Sequence, residues 1–337
     1  MANNERIDLI HSYFKYPLPE SMLKDLCNEL KQVTHYPTGG EYSELCQILA
    51  DYSGVKKENI FPGNGSDEII EMITRTYPGK ILIPAPTFSQ YEESANRVKS
   101  SKLLVKCLIN GEYAIHYSSK HLEESSLVWI CNPNNPTGTL IPRGTIIDIL
   151  QKSKGMVAVD ECNFNFSGET VVDLIEKYPN LIISRSFSKD FGLAGLRLGF
   201  MISNTKNIKK VATFGQYFRV NRLAEKSVEK ALRYLEYFEK AWKSIEEIRD
   251  NVIKELRDLD FNVLDSKSNF VFLEFKNKNK AIKVWNYLKK NNIFTTAAWE
   301  SEFTVLNDQF LRICIGKKKE MKKVLEVLAR YRSLKEA

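Results

Sequence analysis

The sequence predicts an α/β protein built on a mostly parallel sheet, and three stretches between Leu127 and Phe200 carry that prediction. Each is short and apolar, and each ends in a polar cluster: LVWI (Leu127 to Ile130) in CNPNNPTG, MVAV (Met156 to Val159) in DECN, and LIIS (Leu181 to Ser184) in RSFSKDFGLAGLRLGF. Apolar runs of strand length separated by helical stretches read as buried parallel strands. The carboxyl ends of such strands leave a crevice lined by loops and helix N-termini, so the polar tips are expected to meet at one edge and hold a ligand there.

Taken in order, PLPESMLKDLCNELKQV reads as a helix opened after Pro19, with Leu23, Leu26 and Leu30 along one side. In FPGNGSDEIIEMITRTY, Gly63 and Gly65 permit unusual dihedrals and Ser66 begins a helix whose free N–H groups can hold an anion. Asp67 and Glu68 would repel that anion if they faced it, and they suit the helix dipole with no ligand at all, so an ordinary N-cap competes with an anion site. Ile81 to Ile83 gives a strand leading to a loop that ends in Phe88, and Leu103 to Leu108 gives another. Arg222 to Asp260 is strongly helical, longer than one ordinary helix, and is expected to link two domains. FNVLDSKSNFVFLEF, a helix near Ala281 to Lys290, FLRICIG and a last helix read as a small α/β unit. At 337 residues the chain is long for one core; the expected division is a large domain over residues 31–235 and a small one from 1–30 plus 236–337.

Composition narrows the function. The net charge of +7 is spread along the chain, densest in KKKEMKK (Lys317 to Lys323) on one face of the last helix; no basic stripe points to nucleic acid. Six cysteines without any CxxC pair fit reduced thiols in a cytoplasmic protein, and four histidines show no metal-ligand spacing. No signal-like or membrane-spanning apolar segment is read from the sequence.

Asn135, Asp160, Lys189 and Arg197 all fall at the strand tips. A lysine among strand tips, with a carboxylate and an arginine nearby, suits an amine that forms an imine with an aldehyde cofactor. The carboxylate would face a pyridine nitrogen and the arginine a phosphate. Taken singly each residue has a plainer explanation: Asn135-Pro136-Thr137-Gly138 is a good turn, and Asp160 or Arg197 a good ion-pair partner. The ordered set is what singles out the chemistry.

NPNNPTG, VDE and SFSKDFGLAGLRLG, in this order and spacing, resemble the fold-type I pyridoxal-phosphate enzymes of aminotransferase class I/II, specifically the histidinol-phosphate aminotransferase family. The resemblance runs from HYP near residue 36 to FLRICIG near residue 315, with some likeness to threonine-phosphate decarboxylases in PAPTFSQYE. It implies a three-layer transferase fold, with pyridoxal 5′-phosphate held as a Schiff base on Lys189. It implies that Asn135 meets the ring oxygen, that Asp160 meets the pyridine nitrogen, and that Phe88 lies over the ring. It assigns the phosphate to Gly65, Ser66, Asp67, Ser186, Ser188 and Arg197. Tyr36 would reach the phosphate of a neighbouring subunit in a homodimer, and Arg312 would bind the substrate's acid group. Arg219, in QYFRVN, is a candidate second anion ligand for the substrate. The implied reaction is amino exchange between a small-molecule amino donor and an oxo acceptor, the alternative being decarboxylation of an O-phospho amino acid. A non-catalytic relative would have little use for the retained lysine.

Three positions depart from the family pattern: Asn163 where a tyrosine is usual, Thr295 where an arginine is usual, and SYFK (residues 12 to 15) in place of an asparagine-rich signature. All lie on the substrate side or beside the ring oxygen.

Overall fold

Side chains along the central strands alternate between two buried clusters, as the two-residue strand period requires. The computed structural model, which describes residues 6–37, 41–300 and 302–336, has Leu127, Trp129 and Cys131 in one cluster, and Val128 and Ile130 in the other. Ala158 and Ile182 follow the first, Val157, Val159 and Ile183 the second. Helices cover both faces. Gly65–Thr76, Gln90–Arg97 and Thr205–Ala212 bring Ile69, Ile73, Tyr91 and Val211 to one side, while Arg143–Lys152 and Leu235–Asp258 bring Ile146, Ile149 and Phe238 to the other. Three layers result, and each fully buried large apolar side chain contributes roughly 1.5–3 kcal/mol.

The sheet has seven strands in the order Ile60–Asn64, Leu198–Ser203, Leu181–Ser186, Met156–Asp160, Leu127–Cys131, Lys80–Ala85 and Ser101–Lys106. The three strands first read from the sequence are parallel neighbours; only Leu198–Ser203 runs against the strands on either side of it. A second sheet joins Ile7–Leu9, Ile293–Ala297, Phe310–Cys314, Phe270–Glu274 and Asn262–Val263. Lys278–Lys290 and Lys318–Glu336 pack on it through Val284, Leu288, Val324 and Leu328.

The sheets are tied together at several points. Thr87–Phe88 pairs with Phe303–Thr304, and the Ser89 amide donates to the Glu302 carbonyl at 3.1 Å. The Lys267 amide donates to the Gly138 carbonyl at 2.7 Å; a Cβ on Gly138, whose φ is +76°, would fall 2.1 Å from Ser266 Oγ.

Two expectations shift. The helix after Pro19, Glu20–Glu29, buries Met22 and packs Leu26 against the core, whereas Leu23 and Leu30 are 44% and 50% exposed, so only part of the leucine stripe faces this chain's core. The long helical stretch breaks at Tyr234 into Arg222–Arg233 and Leu235–Asp258. Among the described residues no helix is long and apolar enough to cross a membrane, and no group of three or more His, Cys, Asp or Glu is arranged to hold a metal ion.

Candidate active site

The strand tips open into a cavity of about 360 Å³ lined by Asn135, Asp160, Ser186, Ser188, Lys189 and Arg197, together with Ser66, Asp67, Phe88 and Arg312. Asp160 ends its strand at 3% exposure, its two oxygens held by the Tyr91 hydroxyl at 2.7 Å and the Cys162 amide at 3.0 Å. Burial, with the Asp160 charge adding to it, pushes the Tyr91 hydroxyl well above its ordinary pKa, so it stays a proton donor. Tyr91 also stacks on Trp129 with centroids 4.6 Å apart, which fixes the donor in place. Lys189 sits three residues past the strand Leu181–Ser186, its Nζ 5.9 Å from the centre of the Phe88 ring.

At the other end the helix Gly65–Thr76 begins under Arg197. A Cβ on Gly65, whose φ is +78°, would lie 2.5 Å from Arg197 Nη2, and one on Gly199 would lie 2.4 Å from the Ser66 amide nitrogen. Only glycine allows the Gly199 backbone to approach the helix start so closely, and only glycine readily takes the dihedral of Gly65 beneath the guanidinium. Arg197 itself takes a φ of +58°, a conformation that costs a non-glycine residue roughly 1–3 kcal/mol and clusters at ligand sites. The charge problem posed by the two acids resolves by geometry. Asp67 accepts from Arg197 Nη2 at 2.6 Å, and Glu68 turns back to accept from the Asn64 amide at 2.6 Å and does not line the cavity. Ser186 and Ser188 complete this end, their hydroxyls 2.9 Å apart.

Arg312, on the strand Phe310–Cys314, reaches across from the second sheet and is 3% exposed. Nη1 donates to Asn135 Oδ1 at 2.8 Å; Nη2 donates to Ile10 O at 2.6 Å, Thr296 Oγ1 at 3.2 Å and Glu302 Oε2 at 2.8 Å, while Nε is buried without a partner. Asn163 lines the cavity with a buried, unpartnered Oδ1. Thr295, on the strand Ile293–Ala297, is buried with its hydroxyl unpartnered and is not among the residues lining the cavity.

Two of the residues singled out in the sequence lie elsewhere. Arg219 does not reach the cavity: Nε donates to the Pro62 carbonyl at 2.6 Å, and the guanidinium lies 4.0 Å over Phe61 and 4.7 Å over Tyr42. Aromatic faces and a carbonyl hold it in the wall, outside the residues that line this chain's cavity. Tyr36 is 76% exposed and stacks on Phe218, away from this chain's cavity. Conversely, His11, Tyr91 and Glu302 were not singled out by sequence reasoning. Tyr91 lay within a quoted motif, but its meeting with Asp160 joins a helix and a strand far apart in the sequence.

The profile of the class I and II aminotransferases matches residues 7–328. The chain belongs to this family. Over 269 residues the aminotransferase is 38% identical to the histidinol-phosphate aminotransferase of Thermoanaerobacter pseudethanolicus, covering 77% of this chain and 76% of the relative. The solved histidinol-phosphate aminotransferase of Clostridium acetobutylicum superposes with a TM-score of 0.87 at 27% identity, covering 97% of this chain and 99% of that one. The L-threonine-O-3-phosphate decarboxylase of Porphyromonas gingivalis superposes with a TM-score of 0.83 at 25% identity, covering 98% and 99%. The aminotransferase depends on pyridoxal 5′-phosphate. Its donor set fits that group: an anion-accepting end at Ser66, Ser186, Ser188 and Arg197, a buried carboxylate at Asp160, and a lysine and an aromatic face between them.

Proposed function

We propose that this aminotransferase moves an amino group between a small amino acid or phosphorylated amine, histidinol phosphate being the model case, and an oxo acid, with Lys189 as the residue that carries the cofactor and moves the proton. One observation carries the reading: Lys189 shares a cavity with Asp160, with the Ser66, Ser186, Ser188 and Arg197 cluster, and with Arg312. When bound, the cofactor supplies an electron sink beside the substrate's α-carbon.

The side chains divide the remaining work. Asp160, held by Tyr91 and the Cys162 amide, keeps the ring nitrogen protonated. Arg197, Ser186, Ser188 and the helix start at Gly65 and Ser66 grip the phosphate, with Asp67 orienting the Arg197 fork. Phe88, in the cavity wall beside Lys189, would offer its face to the ring. Because Arg312 occupies Asn135 Oδ1, the amide nitrogen of Asn135 is the end left to donate to the ring oxygen. Lys189 would hold the cofactor, and its Nζ would be the group placed to take and return the substrate's α-proton. Arg312 anchors the substrate.

The exposed rings of Tyr36, Tyr217 and Phe218 support a homodimer in which Tyr36 completes the partner's phosphate site. Six free thiols support a cytoplasmic setting. The two sheets support a division into a large unit over 31–235 and a small one from 1–30 plus 236–337.

A second reading, decarboxylation of an O-phospho amino acid, is favoured by Asn163 and by the similarity to the Porphyromonas decarboxylase. Incubation of holoenzyme with glutamate plus 2-oxoglutarate, with histidinol phosphate plus 2-oxoglutarate, and with threonine phosphate separates the two. Amino exchange without carbon dioxide supports the first reading; carbon dioxide release from the phospho amino acid replaces it with the second.

A further inference from the structure

We propose that Asp190 is a positioning residue for the reactive amine: sealed behind Lys189, its carboxyl ties the lysine loop to the loop that carries Asn163 and, by gaining or losing a proton, sets how tightly the Lys189 nitrogen holds its own. The inference rests on the reading of Lys189 as the residue that carries the cofactor, and it names the group that tunes that lysine.

Lys189 lines the cavity, whereas Asp190, the next residue, is 1% exposed and outside the lining. One carboxylate oxygen accepts from Asn165 Nδ2 and the other from the Phe191 amide at 3.0 Å, while the Asp190 carbonyl accepts from Trp242 Nε1 at 2.7 Å. Asn165 stands in the turn Phe164–Phe166, two residues past the cavity-lining Asn163, and its Oδ1 accepts in turn from the Tyr52 hydroxyl at 3.0 Å. One acid therefore joins the loops that bring Lys189 and Asn163 to the cavity, and fastens them to the helices Ser43–Ser53 and Leu235–Asp258 that carry Tyr52 and Trp242.

Aromatic rings close this floor: the Phe191 ring centre lies 4.6 Å from that of Phe187, 5.0 Å from that of Phe238 and 5.3 Å from that of Trp242. In such surroundings a charge is costly and its field is poorly screened. Burial raises the Asp190 carboxyl to about 7, against the hydrogen bonds from Asn165 and Phe191 and the charge of Lys189, so the group changes charge near neutrality. Asn165 can serve both forms, its amide donating to a carboxylate or accepting from a carboxyl. The other ionisable groups at this end do not share the role. Burial raises the Tyr52 phenol far above neutrality, Arg185 is paired with Glu161 at 2.8 Å, and Glu239 is exposed and acts on Tyr52. A carboxylate beside Lys189 favours the protonated nitrogen, and a neutral carboxyl withdraws that help. As pH rises through about 7 the acid ionises, and the Lys189 nitrogen keeps its proton to higher pH than it would beside an amide.

Holoenzyme of wild type, Asp190→Asn and Asn165→Ala is titrated between about pH 5 and about pH 10 through the visible absorbance of the cofactor, which reports the proton on the linking nitrogen. In Asp190→Asn the midpoint is expected to fall by at least about half a unit; in Asn165→Ala, where the acid keeps its proton to higher pH, it is expected to fall by a smaller but resolved amount. The apoenzymes give a second readout: cofactor uptake needs the unprotonated amine, so its rate is expected to reach half its maximum at correspondingly lower pH in Asp190→Asn. A role confined to packing would change cofactor affinity or the urea midpoint and leave both pH midpoints in place. Midpoints within about 0.2 unit of wild type overturn the proposal, and should Asp190→Asn fail to fold, Asn165→Ala decides by the same criterion. Should wild type retain no cofactor on Lys189 after borohydride reduction, the underlying reading of the lysine fails instead.

Discussion

Replacing Lys189 by alanine removes the Nζ proposed to shuttle the proton, and amino exchange is expected to fall by at least about 10²–10⁴-fold. Borohydride reduction followed by peptide mass analysis checks the same residue independently: wild type should carry the cofactor on the peptide containing Lys189, and the variant should not. Its neighbour makes a pH prediction. Burial raises the Asp190 carboxyl from its ordinary 3.8 to about 7, against the opposing hydrogen bonds of Asn165 and Phe191 and the charge of Lys189. A carboxyl with a raised folded-state pKa favours the fold while protonated, so this contribution is full below about pH 3.8 and is lost as pH rises through about 7. Asp190→Asn should flatten that fall, read as a smaller difference between urea midpoints at about pH 5 and about pH 8; an unchanged difference counts against it. Residue by residue, the sequence made Lys189, Asp160 and Asn135 legible because all three follow strands of obvious apolar pattern. It concealed Tyr91, which meets Asp160, and Glu302, which meets both Arg312 and His11, because these partners are far apart in the sequence. The surroundings of Arg219 were hidden too, because proximity along the chain says nothing about whether Phe61 and Tyr42 will flank the guanidinium.

Among the elements, the contact between the strand Leu198–Ser203 and the start of the helix Gly65–Thr76 is the most demanding. A Cβ at Gly199 would press on backbone, 2.5 Å from Gly65 C and 2.4 Å from Ser66 N, where no side chain can rotate away. Gly199→Ala is therefore expected to cost about 1–3 kcal/mol in urea unfolding and to weaken cofactor binding in an absorbance titration, since the displaced helix start belongs to the phosphate end. Strands were easy to read because alternation to two apolar faces leaves a dense, short run. The helix Glu20–Glu29 was harder: its leucines are amphipathic, but periodicity does not reveal whether the apolar side meets this chain or another surface. The break at Tyr234 has no proline or glycine to announce it.

For the whole molecule, Tyr36, Tyr217, Phe218, Leu23, Leu30 and Val33 leave large apolar groups in solvent, more than isolated surface residues require. Changing Tyr36 and Phe218 together to alanine is expected to shift the protein toward monomer in light scattering and to weaken cofactor binding about tenfold, because one partner's ring would complete the other's site. An unchanged mass with unchanged affinity removes the dimer proposal. The short ribbon of Thr87–Phe88 against Phe303–Thr304 gives the molecule one more property. It joins the backbone beside the Phe88 ring to the segment that carries Glu302, so a substitution that loosens one of these two strands also releases a cavity-lining side chain on the other.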